Sequence, residues 1–111
     1  MKVAIEKCGG VAVVKPDGPI TWANADEIKA ELRASIGKNL GRIVLDASFV
    51  SHVDSKGLGL LVEVTQELGQ SGKSLKLCCV NETVKQVIEL TGLSPLFEHF
   101  KDVNSAVRSF L

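Results

Sequence analysis

The sequence predicts an α/β fold, a mixed sheet built through parallel crossovers, and three observations lead there. Two short apolar runs flank Gly9-Gly10 and read as a β-hairpin. After that hairpin, apolar runs alternate with segments of helical periodicity, the pattern of strands joined by crossover helices. The chain has 111 residues, 45% hydrophobic and 23% charged. That is one domain, residues 1–111, able to bury about two-thirds of its unfolded surface without a metal or disulfide.

Each element follows from local chemistry. Val3 and Ile5 alternate with Ala4 and Glu6, and Val11-Ala12-Val13-Val14 answers them across the glycines. Pro16-Asp17-Gly18-Pro19 stops the second strand with turn residues. Asn24 is placed as a helix N-cap, with Glu27 three residues later to complete a capping box. Ala25, Ile28, Leu32 and Ile36 follow at helical spacing, and Gly37 ends the pattern. Ile43-Val44-Leu45 is a continuous apolar run, as in a strand covered on both faces. Asp54 or Ser55 caps the next helix, with the stripe Leu58, Leu61, Val62, Thr65 and Leu68. Leu75 to Val80 forms a strand, and Asn81 caps a helix carrying Val84, Val87 and Ile88 before Gly92 and Pro95. Leu96 to Phe100 supplies a short last strand, and Asp102 caps a helix with Val103, Ala106, Val107 and Phe110. Periodicity leaves open whether the helices cover one face of the sheet or two.

Composition narrows the function. Thirteen Lys and Arg balance thirteen Asp and Glu, which argues against direct binding to nucleic acid or to an anionic membrane. Charged residues interrupt the chain long before the roughly twenty apolar residues that a membrane span needs, and the first residues lack a secretory pattern. The expected location is cytoplasmic. Cys8, Cys78 and Cys79 are odd in number and are expected to be reduced and mostly buried. His52, expected in a loop, and His99, expected half-buried on a strand, join them without C-x-x-C or H-x-x-x-H spacing, so neither a metal nor a cofactor is expected. Gly57-Leu58-Gly59 has no third glycine at dinucleotide spacing and no G-K-[ST]. Gly57 is expected to admit a close approach of backbone or partner, and Gly59 to let its helix pack tightly on the sheet. No general base stands out, and the chain is not expected to be an enzyme. Trp22 is placed as a cap on the edge of the core, with an anchor in a partner interface as the other reading.

The unusual segment joins Arg42 to Gly59: a buried strand ends in Asp46, a short loop follows, and a helix opens at Asp54-Ser55-Lys56-Gly57. Strand carboxyl ends and the helix N-termini beside them form the usual binding edge of a parallel sheet, with free amides directed outward. Asp46, Ser48 and Asp54 can equally be read as caps of the loop.

The string Asp46-x-Ser48-x-Val50-x-x-Val53-Asp54-Ser55-x-Gly57-Leu58-Gly59 resembles the signature of the STAS domain, the family that includes the bacterial anti-sigma-factor antagonists. Similarity extends to the hairpin, Gly18-x-Ile20, Leu75-Lys76-Leu77 followed by Asn81, Val87-x-x-Leu90-Thr91-Gly92-Leu93, and Phe97. The resemblance implies a mixed four- to five-stranded sheet with about four helices packed on it, acting as a protein-binding switch. In such antagonists the unphosphorylated domain binds an anti-sigma factor that is also a serine kinase, which frees the sigma factor for transcription. The phosphate goes to the Ser or Thr two places after the aspartate in Asp-Ser-[Ser/Thr]-Gly. It adds about −1.5 to −2 charges where the partner must fit.

Asp54, Ser55 and Gly57 match that motif, but Lys56 stands at the acceptor place and has no hydroxyl. Ser55 is the alternative acceptor, with a side chain directed about 100° around the helix from residue 56. Thr21 stands where an acidic residue is common in the family. Either position 56 tolerates change, or the domain binds its partner without phosphate control. The resemblance implies a partner surface of Thr21, Trp22, Asp54, Ser55, Lys56, Gly57 and Leu58, with the exposed side of the helix from Asp54 to Leu68. Two other functions are open: a STAS regulatory subunit of a membrane transporter, and a nucleotide-binding module.

Overall fold

The computed structural model describes residues 2–111. Strands β1 (Val3–Cys8) and β2 (Val11–Pro16) form the hairpin about Gly9-Gly10. Both glycines hold positive φ, 57° and 88°, which a two-residue hairpin turn requires and a side chain would resist. There follow α1 (Ala25–Lys38), β3 (Ile43–Asp46), α2 (Ser55–Gly69), β4 (Leu75–Cys78) and α3 (Glu82–Leu90). A 3-10 turn at Ser94–Leu96 leads into β5 (Phe97–Phe100), and α4 (Val103–Arg108) closes the chain. The fold is therefore a single α/β domain with a five-stranded mixed sheet and four helices.

The strands lie side by side in chain order, β1 antiparallel to β2 and the rest parallel. Because the order never reverses, right-handed crossovers set their helices on one and the same face. Accordingly α1, α2 and α3 share one core with Ile43, Leu45, Leu75 and Leu77. Among the described residues, only α4 covers the second face, against Val11, Val13, Val44 and Cys78. Both faces are covered, three helices to one. Strands β3 and β4 are buried at every position, which explains the continuous apolar run Ile43-Val44-Leu45. Lys76 is tolerated within β4 because its ammonium reaches Glu98 at 3.1 Å and lies against the rings of Phe100 and Phe110.

Several local expectations are corrected. Helix α1 runs through Gly37 to Lys38, and the chain reverses at Leu40-Gly41, with φ of 56° and 78°. Asn24 makes no cap bond with its side chain. Its carbonyl oxygen accepts from the Thr21 N–H at 2.8 Å and its amide donates to the Pro19 carbonyl at 2.7 Å, fastening the preceding turn instead. Strand β4 stops at Cys78 rather than Val80, because Cys79 turns left-handed with φ 61°. Leu60 and Val64 join the buried stripe of α2, whereas Val62 is half-buried. Thr65 is buried because its hydroxyl donates to the Leu96 carbonyl at 2.8 Å and accepts from the Leu75 N–H at 3.0 Å. A Cβ on Gly59 would meet open space, so that glycine is not required for packing. Cys78 is fully buried, but Cys8 and Cys79 are half-buried; all three are free thiols. His99 is exposed, and its Nε2 lies 2.8 Å from the Ser94 carbonyl. Among the described residues, no helix is long and apolar enough to cross a membrane.

Candidate partner-binding site

The site lies at the carboxyl ends of the parallel strands, where two loops are tied together. Ile20 pairs with Val53 in an isolated parallel bridge. The Ile20 N–H donates to the His52 carbonyl at 3.1 Å, and the Asp54 N–H donates to the Ile20 carbonyl at 3.3 Å. This bridge carries the turn at residues 21–24 to the first turn of α2. Gly57 makes the approach possible: a Cβ there would stand 2.1 Å from the Ile20 carbonyl oxygen. The close approach expected at Gly57 is thus made by the protein's own backbone.

Asp54 joins the two loops. One carboxylate oxygen accepts from the Gly57 N–H at 2.8 Å, capping α2, and the other accepts from the Trp22 N–H at 3.0 Å. These bonds, the Gly57 one foremost, hold the Asp54 carboxyl below its ordinary value of 3.8. Such a group adds stability in full above that value and loses it as pH falls through the lowered folded value. Asp54→Ala should therefore lower the melting temperature at neutral pH by a few degrees and free the Trp22 turn. The deficit against wild type should narrow as pH drops below 3.8. Thermal melts across pH 2–7 check this, and a deficit independent of pH would contradict the bonding described.

The β3–α2 loop is pinned from both sides. Val50 and Val53 are buried. Ser48 donates its N–H to Asp46 at 3.0 Å and its hydroxyl to the same carboxylate oxygen. From the far side, the Asn81 amide donates to the carbonyls of Val50 and Ser51 at 3.2 and 3.1 Å, while its oxygen caps α3 at the Val84 N–H. Asp46, Ser48 and Asp54 thus act as loop caps.

The expected surface divides into two sets. Trp22, Ser55 and Lys56 are exposed and Thr21 is half-buried beside them. Gly57 and Leu58 are buried and support the surface from beneath. Trp22 does not cap the core edge: it is 78% exposed. Sequence reading missed Phe49, which stands 57% exposed in the β3–α2 loop with the Lys15 ammonium 4.2 Å from its ring centre. Its only signal was an aromatic residue between Ser48 and the buried Val50. The edge therefore presents a rigid backbone frame, two exposed aromatics, the Lys56 side chain and the Lys15 ammonium against Phe49, a composition suited to gripping a protein surface.

The chain matches the family model described as STAS domain over residues 2–106. It is 30% identical over 110 residues to BtrV of Bordetella bronchiseptica, assigned as an anti-sigma factor antagonist, covering 99% of this chain and 95% of that one. The crystal structure of an assigned anti-sigma factor antagonist from Thermotoga maritima superposes with a TM-score of 0.88 at 24% identity, covering 96% of this chain and 92% of that one. Sulfate transporter 3.1 of Arabidopsis thaliana is 28% identical over 101 residues, which are 81% of this chain but 15% of the transporter.

Proposed function

This chain belongs to the STAS domain family, and from that premise we propose that it is an anti-sigma factor antagonist acting by capture of a kinase-type anti-sigma factor in the cytoplasm. It works by binding rather than catalysis. The observation that carries this reading is the frame at Asp54, which locks the exposed Trp22 turn against the start of α2 at Ser55-Lys56. A partner meeting this edge finds a preordered surface, so little loop entropy is lost on binding. Similarity to BtrV along nearly the full length of both chains supports the same role.

The resemblance at Asp54-Ser55-x-Gly57 puts Lys56 at the family's acceptor place, and on that reading the grip is constitutive with respect to that modification. A cation there also favours an acidic patch on the partner. Trp22 is the only tryptophan in the chain, so its fluorescence reports engagement directly. Titration with the candidate anti-sigma factor should shift and saturate that emission, and an unchanged spectrum alongside calorimetrically detected binding would place the interface elsewhere. With the kinase and ATP, intact mass should show wild type unmodified and Lys56→Ser carrying one phosphate. That phosphate should weaken the complex by roughly tenfold or more, from charge at a helix N-terminus facing the partner. Stoichiometric phosphate on Ser55 of wild type would overturn the constitutive grip.

The similarity to part of a sulfate transporter favours a second reading, a regulatory module for a membrane transporter. Co-purification of tagged protein with transporter subunits rather than with a kinase-like protein would select it. A nucleotide-binding role has less support, since an unreversed strand order offers no switch-point crevice; a nucleotide titration tests it.

A further inference from the structure

Behind the β3–α2 loop, on the face covered by α4, three ligating side chains meet. Asp46 and Cys78 are in register on adjacent parallel strands and so share a face. The next residue along an extended strand would point to the opposite face. Cys79 does not, because its φ of 61° is left-handed, a conformation rare for a residue with a Cβ other than Asn, Asp or His. Cys79 packs with the same α4 cluster as Cys78. Both sulfurs and an Asp46 carboxylate oxygen lie within 4.8 Å of one another. A strained backbone that gathers three donors is an observation pointing to function.

We propose that Asp46, Cys78 and Cys79 bind a thiophilic divalent cation of the zinc class. Two thiolates and one carboxylate select zinc or cadmium over magnesium or calcium. Bonds of about 2.3 Å to sulfur and 2.0–2.2 Å to oxygen set ligand atoms of a tetrahedral ion roughly 3.4–3.8 Å apart, so the side chains need close in by no more than about 1.4 Å. Asp46 and Cys78 are 5% and 0% exposed, while half-buried Cys79 leaves the fourth position to water. The Ser48 N–H and hydroxyl orient the Asp46 carboxylate, and the Ala47 N–H to Cys78 carbonyl bond at 2.9 Å fixes the two strands relative to each other. The thiols enter as thiolates, and their two protons pass to the buffer as the ion binds. A disulfide between the pair is disfavoured, since adjacent Cα atoms lie about 3.8 Å apart and unstrained bridges need about 4.4 Å or more. Spacing concealed the set because Asp46 comes from a different strand.

The test uses the reduced full chain with cadmium or cobalt(II) alone. Wild type should take up one equivalent, with thiolate-to-metal charge-transfer absorption, and zinc should raise its melting temperature. Cys79→Gly keeps the left-handed turn and removes the thiol. It should melt no lower than wild type without metal and lose affinity by more than roughly 100-fold, beyond what disturbing a ligand's supporting hydrogen bond brings. Asp46→Asn should bind more weakly than wild type, and Cys8→Ser should bind as wild type does. Absence of the charge-transfer band in reduced wild type, equal affinity in Cys79→Gly, or loss of binding in Cys8→Ser would each overturn the proposal.

Discussion

Gly57→Ala should cost about 3 kcal/mol of folding stability, although alanine is the better helix former by up to about 1 kcal/mol. The added methyl group would sit 2.1 Å from the Ile20 carbonyl oxygen and 2.9 Å from its carbon, both backbone atoms that cannot rotate aside. Reaching ordinary contact requires the Ile20 segment and α2 to separate by at least about 1.3 Å, with the strain typical of overpacked sites, about 1–3 kcal/mol and occasionally more. Separation also loosens the Ile20 bonds to His52 and Asp54, at about 1 kcal/mol each. Steric cost outweighs propensity. Gly59→Ala is the internal comparison: it lies two residues along the same helix with nothing within 4 Å of a Cβ. It should be neutral or stabilising by up to about 1 kcal/mol. Denaturant midpoints of the two variants decide the matter, and a Gly57→Ala midpoint at or above wild type would refute the close approach.

Trp22→Ala should weaken the complex with the anti-sigma factor by about 2–4 kcal/mol, roughly 30- to 1000-fold in Kd, the range of a central aromatic anchor. The same substitution should change folding stability by no more than about 0.5 kcal/mol, because the side chain is 78% exposed and leaves no cavity. The two measurements together, calorimetric affinity and a denaturant midpoint, separate an interface residue from a structural one. A loss of affinity below about threefold would move the interface away from the Trp22 turn.

Much of this architecture was legible in the chain. Strand β3 announced itself as an apolar run because it is covered on both faces, and Asn81, Asp54 and Asp102 were recognisable as caps that their structures use. Asn24 carries the same local signal, but its side chain is claimed by Pro19 and Thr21, contacts that exist only once the turn has formed. The family string located the α2 edge, yet it did not separate Ser55 and Lys56, which face outward, from Gly57 and Leu58, which face inward. That distinction depends on how Ile20 lies across the helix, a long-range fact. Trp22 was misplaced for a related reason: an aromatic residue beside a helix start reads as core, and the bond from its N–H to Asp54 across the fold leaves no local sign in the sequence. The pairing of Cys78 with Cys79 was visible only as adjacency, since the left-handed backbone that brings their thiols together leaves no trace in composition.

The unreversed strand order also bears on how the molecule comes into being. Each strand from β2 onward pairs with the one made just before it, so no segment waits for a distant part of the chain to supply its neighbour. Loop closure is correspondingly short for every parallel pairing, and topologies of this kind fold faster than those with remote pairings. During synthesis the sheet can lengthen by one strand as each unit leaves the ribosome, with the growing edge always the next to be covered. The antiparallel hairpin, earliest of the five strands in the chain, offers β2 as the first edge on which a parallel strand can pair.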